Sequence, residues 1–356
     1  MMWREDGLKI SSLGNGRSNG LTESSREIFK RVASYAKKAP KVERKPLSRG
    51  PYIEDGRSVV ALVRTDDRVE GIVEALDLIG GLDSALAGRD GYVLVKPNLN
   101  SNDAFPGSVH PVTLQTILRL LLDKGVSKDE IVVGDMSGPS WLPTRKTMQL
   151  NGTLDVVEDL GVKVSFFEDE EWVTVEPKKA TTWPKGFRLA KTVYNASKIV
   201  SLPCLKTHRF GGVFTSSLKN AVGMINPADR SYLHNSERMR SLIAEINLGY
   251  SVDLVVLDGM SCFVSGGPDK GKLASSGVII AGSDRVAIDA VGVSILKSLN
   301  AVGIANVPIK EQEQLKKAAD VGLGQLNIEN IKLKTSNLAR DKEFPKLLNF
   351  IKNELQ

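Results

Sequence analysis

The chain has 356 residues, 41% of them apolar and 25% charged, the profile of a globular protein with material for one large or two modest domains. Its formal net charge is +6, and the excess sits at one end, since residues 1–50 carry twelve Lys or Arg against five Asp or Glu. Two cysteines, Cys204 and Cys262, exclude a disulfide framework and a cysteine-only iron–sulfur cluster within this chain.

No stretch approaches the ~20 apolar residues of a membrane span. Met1 to Ser12 contains charges and no apolar run, so no secretory leader is read there and a cytoplasmic location is expected. Residues 1–56 read as a basic, partly disordered extension, rich in Ser, Lys and Gly and broken by Pro40, Pro46 and Pro51. Such a tail can touch nucleic acid or anionic lipid. The interleaved aromatics of a single-strand binder are absent, however, which favours a solvated segment. Within it, Glu23 to Lys37 fits one amphipathic helix with Ile28, Val32 and Tyr35 on a shared face.

Beyond the tail, apolar runs alternate with helical patterns. Ser58–Val63 is a strand, followed by a helix from Val69 to Ile79. Strand Tyr92–Val95 ends at Lys96-Pro97 and leads to helix Pro111–Lys124, with proline in the first turn and Gly125 after the end. Then come strand Ile131–Val133, helix Lys146–Leu160 and strand Val162–Phe166. The irregular stretch Glu168–Ala190 is expected to form a β-hairpin insertion. Lys198–Leu202, Asp253–Leu257 and Gly277–Ala281 read as central strands, the last leading to helix Arg285–Leu299. The final fifty residues fit helix Lys310–Ala319, a short strand near Ile328–Leu333 and a closing helix.

Continuously apolar strands alternating with helices predict an α/β fold: a mostly parallel, Rossmann-like sheet with helices on both faces and a β-rich insertion. The core would span residues 57–305, with 306–356 as a C-terminal extension packed on it. In such sheets ligands bind outside the carboxyl ends of the strands. Lys96, Gly134-Asp135, Pro203 to His208 and Asp258-Gly259 all follow strands directly and are expected to share one rim.

Four polar stretches carry the candidate chemistry. Lys96-Pro97-Asn98-Leu99-Asn100 leads to His110, which precedes a helix N-terminus, so Lys96, Asn98 and His110 are suited to an anionic oxygen. The plain alternative is that the amides satisfy loop backbone and His110 is a helix cap. The densest stretch runs from Lys206-Thr207-His208 to Ser216, Lys219 and Asn220. A helix over Phe214–Met224 would place Ser216 and Asn220 on one face, whereas an ordinary surface helix is the alternative. Cys204 is more plausible as a small buried hydrophobe than as a nucleophile. Arg230 to His234 precedes the helical pattern Glu237–Leu248, and His234 suits a metal ligand, a general base or a helix N-terminal polar residue. Asp258-Gly259, then Gly266-Gly267-Pro268, offers an acid to orient a histidine and a turn a ligand can approach closely. Dinucleotide, phosphate-loop, nucleophile-elbow and zinc-helix signatures are absent.

At these residues the chain resembles a widespread prokaryotic family known as a domain of unknown function, number 362 in its series. The matching stretches are Val93–Asn100, His110-Pro111, Leu202–His208, Ser217–Gly223, Asp258-Gly259, Gly267-Pro268 and Asp284–Asp289 followed by Gly292, covering roughly residues 58–300. Members of that family are often fused to ferredoxin-type iron–sulfur modules. This chain lacks such a module, so cluster binding is not carried over from the resemblance; a maturation or redox role would need a separate ferredoxin-like partner. The site is also similar in style to the nickel-dependent lactate racemase group, where lysines and histidines surround an organometallic cofactor.

The resulting expectation is an enzyme acting on a small carboxylate or phosphate compound by acid/base chemistry, with a divalent metal as a candidate cofactor at His208 and His234. Racemisation or isomerisation next to a carboxylate suits these residues, as does phosphate-ester or ligation chemistry. His208, His234, Lys206 and Asp258 are the candidate catalytic residues. Lys96, Asn98, His110, Lys219, Asn220 and Arg230 are the candidate substrate-binding residues. The alternative is a non-catalytic protein that binds a metal or cofactor, or matures a redox partner.

Overall fold

The computed structural model describes residues 25–48, 50–138 and 143–356. The start of the Glu23–Lys37 helix and the first 24 residues of the basic extension therefore lie outside the described residues. The strands in chain order are β1 (Ile53–Glu54), β2 (Arg57–Arg64), β3 (Val93–Pro97), β4 (Ile131–Asp135), β5 (Lys163–Phe166), β6 (Trp172–Val175) and β7 (Phe187–Ala190). They continue with β8 (Lys198–Leu202), β9 (Cys204–His208), β10 (Val213–Thr215), β11 (Leu254–Gly266), β12 (Gly271–Gly282) and β13 (Ile331–Asn337).

Eleven of them form one sheet in the order β1-β2-β12-β11-β8-β3-β4-β5, with β13 beside β2 and β9 and β10 continuing along β11. The run β11-β8-β3-β4-β5 is parallel throughout. The sheet is thus the mostly parallel one the apolar runs predicted, although β12 runs antiparallel to both its neighbours. The hairpin expected between 168 and 190 is present as the separate antiparallel pair β6–β7.

Both faces of the sheet are covered, because residues alternate in and out along every strand. Leu94, Leu205, Val255 and Leu257 join one apolar cluster, with helices Met239–Ile246 and Arg285–Ser298 and the β6–β7 pair. Val93, Val95, Leu254 and Val256 join the other, with helices Arg68–Ile79 and Pro111–Asp123. Helix Ser25–Tyr35 packs on the first side through the fully buried Val32, whose carbonyl accepts a hydrogen bond from Asn226 Nδ2 at 3.0 Å.

Three local expectations need correction. The helix read as Lys146–Leu160 is two, Thr144–Leu150 and Thr153–Leu160, because Gly152 adopts φ +79° between them. Leu205 to His208, expected just beyond a strand end, is itself part of strand β9, paired parallel to β11 and antiparallel to β10. The helix expected over Phe214–Met224 is a strand end followed by a 3-10 helix, Leu218–Met224, so Ser216 and Asn220 do not share an α-helical face. His234 closes helix Pro227–His234 and, as expected, precedes the next helix, Met239–Ile246.

Strand phase also decides where Asp258 goes. It points to the same face as Leu254 and Val256 and is fully buried there. Arg68 Nε donates to its carboxylate at 2.8 Å and Thr113 Oγ1 at 2.5 Å, which ties helix Arg68–Ile79 and helix Pro111–Asp123 to β11. Removing one partner of a buried ion pair typically costs ~3–5 kcal/mol. Asp258→Ala is accordingly expected to lose stability of that order in urea unfolding, and a loss under about 1 kcal/mol would show that the pair does not hold these helices.

Candidate functional site

A cavity of about 850 Å³ opens beyond the carboxyl ends of β3, β4 and β9, where the parallel sheet predicts a ligand site. Lys96, Asn98, Lys206, His208, Lys219, Asn220, Arg230 and His234 all line it, so eight of the ten residues singled out in the sequence meet in one place. Asp135, Asn100, Phe29, Phe210 and Met239 complete the walls used below.

Four of these residues are cations, and a buried charge is costly unless something satisfies it. Lys96 is almost fully buried and is paired with Asp135 at 2.8 Å. Its ammonium also donates to Pro97 O at 2.6 Å and Asn220 Oδ1 at 3.3 Å. Lys206 is fully buried without a carboxylate, and it donates to Pro106 O, Gly107 O and Asn98 Oδ1 at 2.8, 2.6 and 3.1 Å. An ammonium has three hydrogens, so both lysines are fully engaged. Arg230 donates to the carbonyls of Ile225, Ser137, Met136 and Gly223 at 2.8 to 3.1 Å.

Lys219 differs. Its Nζ has no hydrogen-bond or ion-pair partner among the described residues, although the residue is buried. Burial lowers its pKa from the ordinary 10.5 to about 7, with the charges of Lys206 and Arg230 adding to the effect. Burial likewise brings Lys206 down to about 8.

The histidines are pushed further. Burial holds His208 well below 6.5, helped by Lys219, Lys206 and His234. His234 falls to about 4 through burial and then Lys219. Both imidazoles are therefore neutral at physiological pH. His234 Nδ1 lies 2.7 Å from Arg230 O. A carbonyl only accepts, so that nitrogen carries the proton and Nε2 keeps its lone pair. His208 Nδ1 is buried with no partner, and so is Asn100 Nδ2.

Local sequence explains how these groups come so close. Asp289, fully buried in helix Arg285–Ser298, accepts from the backbone N–H of Ser217 at 2.7 Å and of Leu218 at 2.9 Å. It thereby fixes the start of the 3-10 helix that carries Lys219 and Asn220. Asn220 Nδ2 donates to Ser201 Oγ and Lys96 O, stitching that helix to β8 and β3. At Gly223 a Cβ would stand 2.2 Å from Asp135 Oδ1 and 2.8 Å from Lys96 Nζ, so glycine is required beside this pair. At Gly212 a Cβ would stand 2.8 Å from Lys219 Cε and 3.1 Å from His208 Nδ1, which makes Lys219 and His208 immediate neighbours.

Two expectations are corrected by the geometry. Asp258 orients neither His208 nor His234, because its carboxylate is on the other face of the sheet with Arg68 and Thr113. His110 is not among the residues lining the cavity. It caps helix Pro111–Asp123, accepting from Val112 N at 3.2 Å, and packs edge-on against Phe105. Burial and then Arg68 lower its pKa to about 4. Conversely, Asp135, Asn100 and Asp289 belong to the site or its support. The first two were visible beside strand ends, whereas nothing in the local pattern distinguishes Asp289 from any helical acid.

The donor set does not suit a metal held by the protein. His208 and His234 have no third His, Cys, Asp or Glu to form a ligand group among the described residues, and the charges around them are cationic, which opposes a divalent ion.

A mostly parallel α/β sheet with a polyamine-like cavity at its carboxyl rim defines the class of protein. Over residues 93–294, more than half of its length, the sequence matches the family described as Domain of unknown function (DUF362), and the chain belongs to that family. Among solved structures, the lactate racemase apoprotein from Thermoanaerobacterium thermosaccharolyticum is similar at 11% identity and a TM-score of 0.39, covering 83% of this chain and 87% of that chain. No curated protein matches. No helix among the described residues is long and apolar enough to cross a membrane.

The unpaired ammonium has a cost in stability that can be measured. Because the folded pKa of Lys219 lies near 7 and the unfolded one near 10.5, the unfolded chain holds the proton more tightly between them. The penalty is therefore complete below about pH 7 and fades as pH rises towards 10.5. Lys219→Met should raise unfolding free energy by a few kcal/mol at or below neutrality, at about 1.4 kcal/mol per tenfold change in proton affinity, and by progressively less at alkaline pH. A destabilised Lys219→Met protein at neutral pH would mean that the ammonium is satisfied.

Proposed function

We propose that this protein is an enzyme acting on a carboxylate- or phosphate-bearing small molecule bound in the cavity, with acid/base chemistry centred on Lys219. The observation that carries the reading is that Lys219 alone among the four cavity cations has no acceptor, beside a buried His208 nitrogen that also has none. Lys96 and Lys206 have all their hydrogens committed to the protein and Arg230 four of its five, so they supply positive potential more than direct contacts. Lys219 and Asn100 Nδ2 are the main donors that remain for a ligand.

This shifts the acid/base burden away from the histidines. A proton carrier works best when its pKa lies near the working pH, and Lys219 at about 7 meets that condition better than His234 at about 4. The neutral imidazoles then relay protons and hold the substrate by hydrogen bonds. An arriving anion raises the pKa values of all three by favouring their charged forms, so binding should draw protons from solution.

Binding of simple anions tests this. Isothermal titration with acetate and sulfate should show affinity that is highest below about pH 7 and then falls, approaching about tenfold per pH unit once Lys219 is mostly neutral. Proton uptake should be visible as a heat that depends on the buffer used. Lys219→Met should bind neither ion, while Lys346→Met, an exposed control far from the site, should bind as the parent does. Equal affinity in parent and Lys219→Met would remove the reading.

A further inference from the structure

We propose that Lys219 is a nucleophile: its Nζ condenses with the carbonyl of an oxo acid and holds that substrate as an imine. The inference deepens the reading of the cavity as an anion site and rests on it, since the carboxylate of the oxo acid is what the surrounding positive potential attracts.

The geometry singles out this lysine. A nucleophilic amine needs a free lone pair, a sheltered position and a nearby group to move protons. Lys96 and Lys206 fail the first requirement, because all three hydrogens of each ammonium are held by protein acceptors. Lys219 Nζ has no such acceptor, and its stem and His208 both lie close to the Gly212 backbone. Burial and two flanking cations bring it to about 7, so a large share of the amine is uncharged at neutral pH. The free lone pair on His234 Nε2 and the unpartnered His208 Nδ1 also line the cavity.

The step balances with one proton taken up from solvent. Nζ adds to the carbonyl carbon, and the carbonyl oxygen takes that proton to give a carbinolamine. An imidazole accepts a proton from nitrogen and returns one to the hydroxyl, which leaves as water. The product is a protonated imine, whose positive charge restores at Lys219 the cation that the carboxylate needs nearby. The buried Asn100 Nδ2 is the donor left over for that carboxylate. The cavity, at about 850 Å³ with Phe29, Phe210 and Met239 in its walls, is larger than the smallest oxo acids need and has room for an aromatic or branched side chain.

The full chain incubated with pyruvate, phenylpyruvate or acetoacetate, then treated with borohydride, provides the test. Hydride reduction of the imine would leave a stable secondary amine, with a mass gain equal to the oxo acid less one oxygen atom. Peptide mapping should place it at Lys219. Trapping should increase as pH rises through about 7, the reverse of the trend for acetate and sulfate, because the amine must be neutral to attack. Lys219→Arg should give no adduct, while the exposed control Lys346→Met should be trapped at Lys219 as the parent is. Binding of the oxo acids without any adduct at Lys219, or adducts spread evenly over surface lysines, would overturn the inference and leave the anion site standing. Absence of both binding and adduct would overturn the two together.

Discussion

Four cationic side chains share one buried cavity, and the surrounding structure is organised by the need to satisfy them. Lys96 takes a carboxylate from the end of β4, Lys206 takes two carbonyls from the loop after β3, and Arg230 takes carbonyls from two separate loops. Each solution ties elements distant in sequence to one rim. The helix after β3, the β9–β10 hairpin and the helix ending at His234 are thereby held in mutual register. Desolvation makes every one of these bonds obligatory, since a buried donor without its acceptor costs more than a bond returns.

Against that pattern of satisfied groups, the exceptions are informative. Lys219, His208 Nδ1 and Asn100 Nδ2 stand without partners among the described residues, in a cavity where Lys96, Lys206 and Asn220 are fully engaged. Proteins keep such groups where a ligand completes them, and they accept a loss of stability for it. The same logic separates the histidines. His110 and His234 both titrate near 4, yet one caps a helix beside Arg68 and the other faces the cavity. Position gives these equal shifts their different meanings.

Much of the fold was legible in the chain itself. The runs Ser58–Val63, Lys198–Leu202 and Asp253–Leu257 mark strands buried on both faces, and the strand-end rule led to the correct rim for Lys96, Lys206 and His208. Side-chain direction was not legible from motif position alone. Asp258 and Lys96 both follow apolar strands, but Asp258 is in phase with Val256 and Lys96 with Leu94, which belong to opposite clusters. The length of β11 was missed because its second half is of mixed polarity and is defined by pairing with β12 and β9. Phe29 reaches the site only through tertiary packing, and Asp289, although it closes the family-matching stretch Asp284–Asp289, shows its supporting role only through its bonds to Ser217 and Leu218.

The close backbone approaches at Gly223 and Gly212 divide the cavity into two parts with different freedom to change. The polar floor is locked: Gly223 abuts the Lys96–Asp135 pair and Gly212 abuts Lys219 and His208, with no space for even a methyl group. The wall is freer at Phe29 and Met239, which come from separate elements, whereas Phe210 packs edge-on against His208. Substitution at Phe29 or Met239 therefore alters which molecules fit while the charged floor stays in place.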